Sequence, residues 1–167
     1  KIHNNDLSGN PPHLVLLIDN STSFLKLLKL FDEAVPIIFD NAPKGTTISV
    51  VCLRAKPEII ATNCENPKAA RTAIRKCFVD TSDSQTRAKL KMNPAQRLLV
   101  LPWDPAIFLT PDDCVKDWCS GVLFCLKELY KDYPFNALMV MTLDNGDTEN
   151  NVEGVIAELK KKKVTFF

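Results

Sequence analysis

Residues 13–24 read HLVLLIDNSTSF: His13, the apolar run Leu14, Val15, Leu16, Leu17 and Ile18, then Asp19-Asn20-Ser21-Thr22-Ser23 and Phe24. A short apolar run without polar alternation is the pattern of a strand buried on both faces, as in a parallel sheet. After it, Leu25, Leu27, Leu28, Leu30, Phe31, Val35, Ile38 and Phe39 recur at helical spacing, which predicts a helix over 24–39. Ser23 is a candidate cap for that helix. Pro36 removes one hydrogen bond from it and should kink it.

The same alternation continues along the chain. A turn at 41–45 leads to TTISVVCL (46–53), β-branched and apolar, the second expected strand. Ile59 and Ile60 mark a third over 57–62, paired with the second. A helix is expected over 67–79. Residues 80–110 are polar or Pro-interrupted, with a short strand or helix end at 97–101. Residues 111–130 form a helix, with Asp112 and Asp113 in its first turn and Val115, Trp118, Cys119, Val122, Leu123, Leu126 and Leu129 on its apolar face. ALMVMTL (137–143) is a second fully apolar strand, ending at Asp144-Asn145-Gly146. An amphipathic helix over 151–162 carries Val152, Val155, Ile156 and Leu159, and a strand begins at 164–167. Strands alternating with helices imply an α/β, Rossmann-like three-layer sandwich: a mainly parallel central sheet with helices on both faces. Ligands bind such sheets beyond the carboxyl ends of the strands. That directs attention to the loops at Asp19 and Asp144.

Composition excludes little else. The 167 residues suit one domain, expected over 13–167, with 1–12 a flexible N-terminal segment. A net charge of +1 gives no bulk attraction for nucleic acid or an anionic membrane. No apolar run approaches the roughly 20 residues that span a bilayer. The six cysteines include no Cys-x-x-Cys, and Cys52, Cys119 and Cys125 lie in apolar runs, so reduced, structural thiols are expected. Together with an Asn20-Ser21-Thr22 sequon placed where a glycan would block the loop, this favours an intracellular setting, cytoplasmic or nuclear, over extracellular adhesion.

Asp-x-Ser-x-Ser after a buried strand puts one carboxylate and two hydroxyls on a tight loop. An oxygen-only set suits Mg²⁺, Mn²⁺ or Ca²⁺. A single direct carboxylate leaves positive charge and open positions, which an acidic group of a partner can fill. A second carboxylate from another strand end can orient waters. The plainer alternative is that Asp19, Ser21 and Ser23 only cap the next helix, and that Asp144-Asn145-Gly146 is only a turn.

HLVLLIDNSTSF resembles the first strand and metal-binding loop of von Willebrand factor A (VWA) domains, whose metal-ion-dependent adhesion site carries Asp-x-Ser-x-Ser. Asp19, Ser21 and Ser23 match that motif. Residues 136–167, NALMVMTLDNGDTENNVEGVIAELKKKKVTFF, resemble the family's fourth strand, its Asp-Gly loop, and the next helix and strand. Asp144 matches the late aspartate, with Asn145 inserted before Gly146. Asn20 and Thr22 stand where the family usually has glycines. Thr110 is the candidate for its threonine ligand, although alignment on the helix itself puts that slot near Asp117 or Trp118. The resemblance spans about 13–167 and leaves out the family's last strand and helix. It implies metal ligation by Asp19, Ser21, Ser23, Thr110 and Asp144.

Three functions are weighed. The first is a non-enzymatic protein-interaction module that holds Mg²⁺ (or Mn²⁺/Ca²⁺) and meets its partner through Asn20, Thr22, Asn145 and an exposed Trp103, itself a residue type enriched in hot spots. The second is a metal-free scaffold within a larger intracellular complex, with 80–109 as its interaction surface. The third is an α/β hydrolase with Ser21 as nucleophile, which no neighbouring His or Gly-rich phosphate loop supports. Trp118 is expected in the core, and Lys160–Lys163 as a solvated helix end. His3 and His13 are too isolated to be ligands or bases.

Overall fold

The computed structural model describes residues 12–20, 28–53, 57–78, 118–142 and 152–167. Among these residues five strands form one sheet. They are β1 (His13–Asp19), β2 (Thr47–Leu53), β3 (Glu58–Cys64), β4 (Ala137–Met141) and β5 (Thr165–Phe166), in spatial order β3-β2-β1-β4-β5. β1 is central. It runs parallel to β2 from His13↔Thr47 to Asp19↔Leu53, and parallel to β4 from Leu14↔Ala137 to Ile18↔Met141. β5 is parallel to β4, whereas β3 pairs antiparallel with β2. The architecture is therefore α/β with a mostly parallel, mixed sheet.

The apolar run of β1 is explained by what lies on each side of it. Val15 and Leu17 join one core cluster, with residues of the later helices; Leu16 and Ile18 join another, with the earlier ones. From Val15 to Ile18 neither face meets water, so alternation there would have placed polar groups in a core. β3 is an edge strand and shows it: only Cys64 is buried. β4 departs from the expected burial on both faces. Leu138 is fully buried, but Ala137, Met139, Val140 and Met141 are half-buried, because the strand is flanked by the two-residue β5 and lies near the margin of the sheet.

On one face lie α1 (Leu28–Asn41) and α2 (Pro67–Lys76). Pro36 remains inside α1, as expected from the sequence. The helix is closed by its own side chain: Asn41 Nδ2 donates to the Ile37 carbonyl at 2.8 Å. Gly45, at φ 87°, takes the left-handed turn into β2 that a Cβ would disfavour. In α2, Asn66 Oδ1 accepts from the Ala69 amide at 2.9 Å and Pro67 fills the first position, so the N-terminus is capped. Ala70, Ala73 and Ile74 face the core. The two helices are clamped by Asp32, which receives Arg71 Nε at 3.3 Å and also Arg75.

On the other face lies α3, described over 118–132. It is α-helical at Trp118–Phe124, π-helical at Cys125–Leu129 and α-helical again at Tyr130–Asp132. The Tyr130 amide reaches back to the Cys125 carbonyl, one residue further than an α-helix allows. Gly121 lets this helix sit hard against the sheet. A Cβ there would lie 2.8 Å from Leu53 Cδ1 and 2.9 Å from Leu17 Cδ2. Trp118, expected in the core, is half-buried and stacks on Phe166, ring centroids 6.2 Å apart. α4 (Val152–Lys162) buries Val155 and Leu159. Its basic end is exposed at Lys160, Lys161 and Lys163, as expected, while Lys162 is half-buried with its Nζ 4.2 Å from the centre of the Tyr130 ring. No described helix is long and apolar enough to cross a membrane.

Cys52, Cys64, Cys77, Cys119 and Cys125 are free and buried. Burial pushes the Cys125 thiol up to about 12, which keeps it protonated and unreactive. Cys114 lies outside the described residues.

His13, at the amino end of β1, is structural. Its Nε2 meets Ser49 Oγ at 2.8 Å, and its backbone N–H donates to Asn136 Oδ1 at 2.9 Å. Burial lowers its pKa below the ordinary 6.5. As pH falls below 6.5 the unfolded chain therefore takes up a proton that the folded one refuses. Stability should decline from there until the folded value is reached, by at most about 1.4 kcal/mol per pH unit. Urea melts between pH 7.5 and 5.5 should show that slope reduced in His13→Gln. An identical slope in the variant would assign the effect to other groups.

Candidate functional site

The site expected from sequence is built on the carboxyl end of β1. Asp19 is the last residue of that strand and is fully buried. A carboxylate removed from water needs compensating donors. One comes from just beyond β4: Thr142 Oγ1 donates to Asp19 Oδ2 at 3.1 Å. The register explains the contact. Ile18 pairs with Met141, so the next residue on each strand, Asp19 and Thr142, come side by side at the strand ends. Thr142 was read from sequence only as part of an apolar run. The parallel pairing of β1 with β4 is what gives it a role, holding the Asp19 carboxylate in one orientation.

Asn20 follows directly. Expected to face a partner, it is 4% exposed. Its Oδ1 is buried and has no hydrogen-bond partner among the described residues. Two side-chain oxygen groups, one charged and one neutral, thus stand in succession at the edge of the sheet where open α/β folds receive ligands.

Of the other residues expected in this site, Ser21, Thr22, Ser23, Trp103, Thr110, Asp144 and Asn145 lie outside the described residues.

The donors present fit a hard divalent cation in kind. They are oxygens only, with the buried, unsatisfied Asn20 carbonyl oxygen as an acceptor still to be matched. Among the described residues no three His, Cys, Asp or Glu side chains gather in a group that could hold an ion.

No protein-family model matches the sequence, and no curated protein matches it significantly. Solved structures do share its fold. Proximal thread matrix protein 1 from the mussel byssus matches with a TM-score of 0.60 at 14% identity, over 94% of this chain and 35% of the mussel chain. The same protein "with zinc occupied MIDAS motif" matches at 0.58 and 11%, over 95% of this chain and 37% of that one. BatB of Bacteroides thetaiotaomicron, described as a conserved hypothetical protein, matches at 0.55 and 10%, over 93% of this chain and 64% of its own. This chain therefore spans about a third of the mussel protein and under two thirds of BatB. At such identities the likeness is one of fold.

Proposed function

We propose that this chain is a non-enzymatic protein-interaction module of VWA type, which binds a divalent cation at Asp19 and meets a protein partner along the carboxyl edge of its sheet. The observation that carries the reading is the Asp19 carboxylate, placed at the end of the central strand and steadied by Thr142. Ser21, Ser23, Thr110 and Asp144 are the further oxygen donors the sequence offers. The zinc-occupied motif named for the mussel protein, which shares the fold, supports a metal at this edge.

When bound, the cation supplies positive charge that a partner's acidic group can complete. The chain's own residues do the rest. The parallel β1–β4 register fixes where the carboxylate stands, the Thr142 hydroxyl fixes its orientation, and the two helix layers keep water from the strand behind it. Trp103, Thr22 and Asn145 are the proposed partner contacts. The reading places the protein inside the cell, where five buried reduced thiols are at home, and as part of a larger protein or complex.

Isothermal calorimetry with MgCl₂ or MnCl₂ tests the metal. Wild type should bind, and Asp19→Ala should lose more than about 100-fold in affinity, since even groups that act indirectly through a ligand cost 10–100-fold when changed. No heat in the wild type would sink the metal-dependent form.

A second reading, a metal-free scaffold, draws on the same contact. A carboxylate already bonded to Thr142 can serve simply to tie β1 to β4. Under it, Asp19→Ala would lower stability and leave partner binding intact in the surviving folded protein.

A further inference from the structure

We propose that Asn20 belongs to the cation site together with Asp19, its side-chain carbonyl oxygen being a neutral donor to the ion. The inference rests on the metal-dependent reading above and goes beyond it in naming a ligand outside the Asp-x-Ser-x-Ser positions.

Buried polar side-chain atoms are almost always hydrogen-bonded, because leaving one unmatched forfeits its hydration with nothing in return. Two such atoms stand unmatched among the described residues, Asn20 Oδ1 and Arg75 Nε. Arg75 is explained: its guanidinium meets Asp32 through another nitrogen. Asn20 is not. It is 96% shielded, stands next in sequence to the buried Asp19, and belongs to the loop where strand alternation no longer dictates its direction. An unmatched carbonyl oxygen is an acceptor that a cation satisfies without a proton, and amide side-chain oxygens are ordinary ligands of hard divalent ions, Ca²⁺ above all.

Melting curves with and without MgCl₂ or CaCl₂ decide it, on wild type, Asp19→Ala, Asn20→Leu and Asn20→Asp. Asn20→Leu should melt at or above wild type without cation, since the unmatched acceptor is gone. Its cation-induced rise should shrink, matching an affinity loss of about tenfold. Asn20→Asp, nearly the same shape, should bind about tenfold more tightly by calorimetry, because a second carboxylate raises the charge of the ligand set. A full cation response in Asn20→Leu beside its loss in Asp19→Ala would overturn the role of Asn20 and leave the reading of Asp19 standing. Unchanged or weaker binding by Asn20→Asp would overturn that role as well, even if Asn20→Leu fails to fold. No cation response in wild type would overturn both.

Discussion

Replacing Leu17 by Ala should cost about 2–5 kcal/mol of stability, in the upper half of that range. Leu17 is wholly buried at the middle of β1 and packs in the cluster that receives α3. The cost of a large-to-small change depends on how far the surroundings can close over the void. Here they can hardly move, because β1 is hydrogen-bonded on both edges, to β2 and β4, and its other face is covered by Leu16, Ile18 and the α1–α2 layer. For a domain of this size the melting temperature should fall by about 6–20 °C. In urea the midpoint should drop with an unchanged slope, and Leu30→Ala, at a site 58% exposed, should be almost neutral beside it. A loss below about 1 kcal/mol for Leu17→Ala would mean that α3 does not rest on this residue as described.

Gly121→Leu should be comparably damaging, by about 3 kcal/mol or more, and for the opposite reason. The first added carbon alone would stand 2.8 Å from Leu53 Cδ1 and 2.9 Å from Leu17 Cδ2, and both leucines are themselves buried. Overpacking of this kind usually costs about 1–3 kcal/mol per site, and three further carbons follow the first. Leu is a far better helix former than Gly, so the loss cannot be ascribed to the helix itself. Gly121→Ala separates the two effects: the helix gains up to about 1 kcal/mol while the contact with Leu17 and Leu53 worsens, so the net change should be small. Chemical denaturation of the pair, Ala and Leu, measures both. A Leu variant as stable as wild type would show that α3 stands off the sheet.

Much of this fold was legible because the strongest sequence signals arise from burial. The runs at Leu14–Ile18 and in β2 are apolar on both faces because layers cover both faces, and the pairing of β3 with β2 was expected, though not its antiparallel sense. What escaped the sequence was set by contacts between distant segments. β3 runs to Cys64 rather than ending at residue 62, with Asn63 in a left-handed conformation at φ 51° and its amide bonded to Ser49 Oγ. That partner lies on another strand. The π turn at Cys125–Leu129 is made of residues that favour an ordinary helix, so packing and not propensity selects it. In the site, the place of Asp19 at the end of a buried strand was legible, but its complete burial was not. Thr142 was not, since only the register of β1 against β4 brings the two together. Nor was the buried state of Asn20, whose polar side chain suggested a surface.

The hydrogen bond between Asp19 and Thr142 joins residues 123 apart in the chain. No fragment containing only one of them can hold the site, and neither can a collapsed chain whose β4 has not yet docked. Under the proposed function, binding at this edge is therefore linked to the docking of β4 on β1. A ligand present at 100 times its dissociation constant would deepen the native well by about 2.7 kcal/mol, and a chain damaged far away, at Leu17 or Gly121, would bind less in proportion to the fraction of molecules left folded. On that reading, occupancy of the edge would report on the integrity of the domain, and ligand supply would be a means of rescuing it.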